Sequence, residues 1–162
     1  MTPKEECEQL LAALLPFAEQ QLTKCRGFYP YGAVVHADTT LEFTAVTDEG
    51  EHPEPAEVIE QLSAMHKTLA EQGQITVSGI VWDGRYRTAD GTKSDAVFVS
   101  LEHRDGYSVV VGQPYRTRLL RKPVMGELFA QPGLHKVFPE PEDADGEAPG
   151  LKANRTMREL LK

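Results

Sequence analysis

Three strand-like segments that follow one another between residues 75 and 113 constrain the fold more than any other feature of the sequence. They cover residues 75–82, 96–103 and 107–113 and are rich in β-branched and aromatic residues. A polar loop separates the first segment from the second, and a tight turn at 104–106 separates the second from the third. Because so short a turn joins only antiparallel neighbours, we expect the last two strands to pair antiparallel.

Alternation along the middle strand predicts that the two faces of the sheet differ. One face carries Val97, Val99, Leu101 and His103, and the other carries Ala96, Phe98, Ser100 and Glu102. The first set is mostly apolar and the second is mixed, so we expect helices to cover the first face.

A capping box predicts that a helix begins at the amino terminus. The side chain of Thr2 can accept a hydrogen bond from the backbone N–H of Glu5. Pro3 occupies the first helical position, where a missing N–H costs nothing. An apolar stripe at three- and four-residue spacing continues this helix, with Leu10, Leu11, Leu14, Leu15, Phe17, Ala18 and Leu22 as its members. Pro16 lies inside the stripe and would cost about 3 kcal/mol in a continuous helix, so a kink or a break is expected there.

A hairpin and a second helix are predicted between the first helix and residue 75. Residues 33–36 and 41–46 read as two strands, and Val58, Leu62 and Leu69 mark the apolar stripe of a helix that ends at Gly73. The element order is then α-β-β-α-β-β-β. It predicts an α+β fold in which an antiparallel sheet of about five strands packs against helices.

The carboxyl-terminal part of the chain has a different character. We expect the α+β core domain to cover residues 1–115 and an irregular, Pro-rich and acidic connecting arm to cover residues 116–150. A short basic helix is predicted over residues 151–162, with Met157, Leu160 and Leu161 as apolar positions. This extended arm could act as a clasp on the acidic body.

The element order over residues 3–115 resembles that of roadblock/longin and profilin-like domains, in which helices sandwich an antiparallel five-stranded sheet. In size, acidity and lack of catalytic motifs the chain also looks like small uncharacterised bacterial proteins, including immunity proteins that neutralise toxins. These resemblances imply a fold and a class of function, and they assign no role to any residue.

Charge and cysteine content narrow the class of partner and the compartment. The 162 residues carry a formal charge of -8, which repels a phosphate backbone and argues against nucleic-acid binding. No run of 18 apolar residues and no signal-peptide pattern are present, so we expect a cytoplasmic protein that does not insert into membranes. Cys7 and Cys25 would lie about 27 Å apart on one helix, so we expect two free thiols in a reducing compartment.

Sequence motifs for catalysis and for cofactor binding are missing. The chain has no Gly-x-Gly-x-x-Gly after a strand, no Gly-Lys-Ser/Thr phosphate loop and no Gly-x-Ser-x-Gly. Its five histidines never occur as His-x-x-x-His, the spacing typical of zinc ligands on a helix. We therefore expect no catalytic residue, no metal and no cofactor, and we favour a binding function over an enzymatic one.

Two groups of residues are candidates for contacts with another protein or with a second copy of the chain. One group is aromatic and flanks the strands, and the other lies in the carboxyl-terminal arm. The candidates are Phe28, Tyr29, Tyr31, Tyr115, Arg118, Arg121, Met157 and Leu160. The alternative for the aromatic residues is that they line the edge of the domain's own core.

A small-ligand site is the alternative to protein binding. The candidate residues are Trp82, Arg85, Tyr86 and His103, together with Phe98 and Tyr107, in a pocket between sheet and helices. The sequence thus leaves two functions open. One is a non-enzymatic interaction or regulatory domain, of the immunity type or homodimeric, and the other is a ligand-binding domain or weak enzyme.

Overall fold

The computed structural model describes residues 1–47 and 52–141. This part of the chain forms two helices and seven strands. The helices are α1 (Pro3–Lys24) and α2 (Pro55–Glu71). The strands are β1 (Tyr31–His36), β2 (Leu41–Thr44), β3 (Ile75–Arg87), β4 (Lys93–His103), β5 (Ser108–Arg118), β6 (Arg121–Met125) and β7 (Phe129–Pro132). The predicted α+β class and the order of the first seven elements are confirmed, and β6 and β7 are additional.

All seven strands belong to one antiparallel sheet. Six of them follow one another in the order β2-β1-β3-β4-β5-β6, and β7 pairs with β5. The last two predicted strands are β4 and β5, and they pair antiparallel as expected. The long strand β5 has two partners besides β4: β7 pairs with Val109–Gly112 and β6 pairs with the end of the strand. The meander β3–β4–β5 therefore lies in the interior of the sheet.

Helix α1 covers one face of this meander, which we call the α1 face. Leu10 and Leu14 of α1 are fully buried in one core cluster with Val97, Val99 and Leu101 of β4. These are the β4 residues that alternation assigned to the apolar face. The burial of this stripe fixes where α1 lies on the sheet.

A kink or a break was expected at Pro16, and helix α1 continues through the proline without a break. The apolar stripe lies on the same side of the helix before and after the proline, and Leu14 and Ala18 are both completely buried. Burying a side chain of leucine size stabilises by about 1.5–3 kcal/mol, so two turns of buried stripe outweigh the cost of one lost hydrogen bond. Tyr31 adds a tertiary bond, since its hydroxyl donates to the carbonyl of Leu14 over 2.7 Å.

The opposite face of the sheet, which we call the α2 face, is covered as well. Val58 and Leu62 of α2 pack in one cluster with Ile80 of β3 and with Val137 and Phe138, which follow the last strand. The expectation that a helix covers the apolar face is confirmed by α1, and α2 covers part of the mixed face in addition. The mixed face needs a cover because Phe98 and Ala96 of β4 are also buried there.

Glu102 holds the segment after β7 on the α2 face. Its side chain is 2% exposed, and its carboxylate oxygens accept the backbone N–H groups of Lys136, Val137 and Phe138 over 2.9, 3.0 and 3.1 Å. A buried carboxylate is tolerated only when such donors surround it. We call this arrangement the Glu102 latch.

The predicted domain boundary at residue 115 is therefore misplaced. Residues 116–132 complete β5 and add β6 and β7, and Val137 and Phe138 belong to the core. For residues 116–132 the interpretation as an irregular arm is wrong, because the strands there are short and interrupted by Pro and Gly, which hides their alternation. Residues 142–150 and the predicted helix over 151–162 lie outside the described residues.

Candidate functional site

The predicted pocket around Trp82, Arg85, Tyr86 and His103 is not assembled. Trp82 stacks on Phe98 at a centroid distance of 5.7 Å, and Tyr86 belongs to the same cluster on the α2 face. Arg85 projects to the opposite face, where its Nε donates to Asp95 Oδ1 over 3.1 Å. A sheet lies between the two halves of this predicted site, so no single ligand contacts both.

His103 lies at the β4–β5 turn and connects that turn to α1. The side chain is 3% exposed, and its Nδ1 accepts the backbone N–H of Asp105 over 3.0 Å. Its Nε2 faces the carboxylate of Glu6. Because Nδ1 is an acceptor, the ring proton sits on Nε2 and is donated to Glu6. The tripeptide His103-Arg104-Asp105 is thus part of a hairpin turn, as the sequence predicts.

His66 forms a second buried connection, which the sequence analysis missed. The ring is completely buried, and its two nitrogens lie 2.7 Å from Ser78 Oγ and 2.8 Å from Thr44 Oγ1. Burial lowers the pKa of His66 to about 4. No carboxylate hydrogen-bonds to the ring among the described residues, and a ring without exposed surface cannot reach a substrate. His66 therefore ties α2 to β2 and β3 as a neutral cross-link.

The aromatic candidates for an interface divide into buried and exposed residues. Tyr31 and Tyr115 are 6% and 4% exposed, and the hydroxyl of Tyr115 donates to Asp83 Oδ1 over 2.5 Å. Phe28 packs partly buried against the same core, and only Tyr29, at 49% exposed, presents its ring to solvent. The alternative, that these aromatic residues line the domain's own core, thus holds for Tyr31, Tyr115 and Phe28. Met157 and Leu160 lie outside the described residues.

Arg118 and Arg121 face each other directly before the turn that joins β5 to β6. The turn consists of two residues, Leu119 and Leu120, which are 79% and 95% exposed. Leu120 has a φ of +57°, in the left-handed region that costs a branched L-residue about 1–2 kcal/mol. Two exposed leucines at a strained two-residue turn serve no purpose in the core.

The two hairpins that precede this one along the meander have ordinary turns. The β3–β4 turn places Gly91 at a φ of +88° and satisfies Asp90 with hydrogen bonds from Thr92. The β4–β5 turn places Gly106 at a φ of +99°. Both use residues that tolerate the backbone geometry, which is the rule for short hairpins. Thr39 in the β1–β2 turn also has a positive φ, of +74°, so the leucine turn is distinguished by its two exposed apolar side chains together with its strain and not by its φ alone.

The leucine pair lies between four cations. These are Arg116, Arg118, Arg121 and Lys122, and all four are exposed. One of these side chains has a defined partner, since Arg118 Nε donates to the carbonyl of Lys122 over 3.0 Å. The chain carries a net charge of -8 including these four positive charges, so all other residues together carry -12. We call residues 116–122 the basic tip.

An open groove lies on the α1 face, between the first half of α1 and the sheet. Its volume is about 560 Å³. It is lined mostly by apolar residues of α1, β5 and β7 and by Leu128, which precedes β7; among the others are Leu11, Leu15, Val109 and Val111. Its polar lining consists of Lys4 and Glu8, which form a surface ion pair at 4.0 Å, the hydroxyl of Tyr107 and the thiol of Cys7. We call this cavity the α1 groove.

Both cysteines are free, as expected, with Cys7 buried and Cys25 exposed. Burial is the main cause that raises the pKa of Cys7 to about 12, and the neighbouring Glu6 acts in the same direction. A thiol with so high a pKa is protonated near neutral pH and is a poor nucleophile. Cys7 therefore contributes packing to the groove floor.

Residues 1–47 and 52–141 lack two further features. Within that part of the chain, no cluster of three or more His, Cys, Asp or Glu side chains has the arrangement of a metal site. No helix there is long and apolar enough to span a membrane. Comparisons with protein-family models, with curated proteins and with solved structures find no match to this chain.

The low pKa of His66 predicts that stability falls on acidification. Above pH 6.5 the ring is neutral in both states; between pH 6.5 and about 4 the unfolded chain binds a proton that the folded protein excludes. The free energy of unfolding should therefore decrease by up to about 3 kcal/mol over this interval. Urea unfolding at a series of pH values measures the decrease. His66→Gln should remove it and the matched His52→Gln should retain it; equal pH dependence in both variants would show that His66 is not responsible.

The geometry of Leu120 predicts that replacing it stabilises the protein. Asn tolerates the left-handed region, and a side chain that is 95% exposed has little packing to lose. Leu120→Asn should raise the free energy of unfolding by about 1 kcal/mol. Leu119→Asn, whose backbone is not in that region, should change it by less than about 0.5 kcal/mol. A loss of stability in Leu120→Asn would mean that the leucine supports the fold.

Proposed function

We propose that this chain is a non-enzymatic protein-interaction domain whose contact surface is the basic tip. The observation that carries the proposal is the exposed leucine pair at a strained turn, flanked by four cations. Strain of this kind persists where a function requires it. The two leucines provide an apolar centre and the cations a polar rim, which is the usual anatomy of a protein-binding contact.

The partner that fits this tip has an apolar pocket with an acidic rim. Burying one leucine side chain stabilises a complex by about 1.5–3 kcal/mol before the costs of association are subtracted. The four cations accelerate encounter with an acidic surface, and salt weakens this effect. A nucleic acid fits less well because the remaining -12 charges of the chain repel phosphates.

The charge of the basic tip favours an acidic partner over a basic one. An immunity-type protein with a basic toxin as its partner would use the acidic surface, whereas the tip selects an acidic partner. A second copy of the chain is acidic and is one such partner, so the homodimeric form remains part of the proposal. Cytoplasmic localisation agrees with the two free thiols.

The α1 groove supports a second candidate function, the binding of a small apolar ligand. Its volume of about 560 Å³ lies in the range of ligand pockets. Few polar groups converge in it, however, so it lacks the means to orient an anionic substrate. We favour the basic tip because it has both an apolar centre and a charged rim.

A photo-crosslinking amino acid at position 119 tests the proposed contact. The protein is produced in its own cells with the crosslinker in place of Leu119, and illumination should yield a covalent adduct with a protein, or with a second copy. The matched control carries the crosslinker in place of Ala89, an exposed residue in the β3–β4 turn, which is flanked by the paired cations Arg87 and Lys93. This control should give no adduct.

Charge reversal shows whether the adduct depends on the basic rim. The double variant Arg118→Glu and Arg121→Glu should abolish the adduct at position 119, whereas Arg87→Glu with Lys93→Glu should leave it unchanged. High salt should weaken it as well. Absence of an adduct at position 119, or equal adducts at positions 119 and 89, would contradict the proposed function.

A further inference from the structure

The described part of the chain ends near the α1 groove. This groove is a different surface from the basic tip. We propose that residues 151–162 of the same chain dock in the α1 groove. The inference does not depend on the proposed function. It rests on the state of the groove, the position of Pro141, the reach of the intervening chain, and the apolar and charged pattern of residues 151–162.

The groove leaves apolar side chains without a complete cover. Helix α1 packs on β1, β3, β4 and β6, and the groove lies beside the first half of the helix, over β5 and β7. Tyr107 and Val109 are only partly buried there, and Leu128 is 50% exposed. A side chain that fills the space above them would remove this apolar surface from water, which is favourable.

The described chain leads directly to this groove. The Glu102 latch holds residues 136–138, and Pro141 then packs against Gly106 in the β4–β5 turn, where a side chain on the glycine would collide with the proline ring. The residue after Gly106 is Tyr107, which lines the groove. The continuation of the chain therefore starts beside the groove entrance.

The connecting stretch 142–150 is long enough to place residues 151–162 there. Nine residues span up to about 30 Å when extended and about 17 Å on average when flexible. A short tether of this kind raises the effective concentration of its end to the millimolar range. Docking within one chain is thus favoured over docking of the same segment from a second copy at ordinary protein concentrations.

The sequence of residues 151–162 matches the groove in its apolar pattern and in its charge. Met157, Leu160 and Leu161 recur at three- and four-residue spacing, so a helix would present them on one side. Four cations, Lys152, Arg155, Arg158 and Lys162, accompany them with a single carboxylate, Glu159. The first turns of α1 beside the groove carry Glu5, Glu6 and Glu8 against Lys4. A helix this short is marginal in water and would gain its stability from the groove.

Limited proteolysis of the full chain tests the docking. Trypsin cleaves after Arg155 and Arg158, and the cleavage rate follows the fraction of molecules in which the segment is undocked. Ala12→Lys places a positive charge on the exposed groove lining and should accelerate cleavage at these two sites by about tenfold or more. Gln20→Lys makes the same charge change at an exposed position of α1 outside the groove and should leave the rate unchanged.

The outcomes distinguish docking of the chain's own segment from docking of a second copy's segment and from binding of a small ligand. A wild-type cleavage rate equal to that of Ala12→Lys would overturn the proposal. Protection that increases with protein concentration would assign the groove to the segment of a second copy, and full binding of a fluorescent apolar probe to the wild-type groove would assign it to a small ligand. Either result would also overturn it.

Crosslinking gives a second readout that does not require a groove variant. A photo-crosslinking residue at Met157 should react with the groove lining of its own chain, and one at Asp145 in the connecting stretch should not. A mixture of isotopically heavy and light protein distinguishes the two origins, because only adducts between copies contain both labels. Adducts at position 157 that avoid the groove would overturn the proposal.

Discussion

The meander β3–β4–β5 carries apolar side chains on both faces, and the rest of the structure follows from the need to cover both. Helix α1 covers one face along most of its length. Helix α2 covers part of the other together with Val137 and Phe138, which the Glu102 latch holds in place, and Phe129 packs with Tyr86 and Phe98 over the remaining part. A carboxylate buried beneath Val137 and Phe138 is stable only because three backbone N–H groups point at it. The same interaction sets the place from which the chain continues past residue 141.

Much of the fold could be predicted from the sequence because its signals are local. The capping box at Thr2 forms as expected, with Thr2 accepting the N–H of Glu5 over 3.1 Å, and the alternation in β4 assigns each residue to the correct face. The continuity of α1 through Pro16 could not be predicted, since it depends on burial against a sheet distant in sequence. Strands β6 and β7 were missed because they are short and because both pair with β5, which is longer than predicted.

The candidate surfaces were harder to predict because they depend on where side chains point. Tyr31 and Tyr115 have the composition of interface residues, but each finds a hydrogen-bond acceptor inside the core. In the sequence, Glu102 is one polar residue on a mixed face. No sequence pattern indicates that its carboxylate accepts hydrogen bonds from backbone N–H groups 34 to 36 residues away. Arg118 and Arg121 were named as interface candidates, whereas the leucines between them gain meaning only from their exposure and from the φ of Leu120.

The Glu102 latch closes the α2 face, and hydrogen exchange at the amides of Lys136, Val137 and Phe138 tests this claim most directly. The account predicts slow exchange of these three amides in the wild-type protein. It also predicts that Glu102→Gln, which replaces one acceptor oxygen by a donor, accelerates their exchange at least about tenfold while the amides of β3 keep their protection. Rapid exchange of residues 136–138 in the wild type, or unchanged protection in the variant, would contradict it.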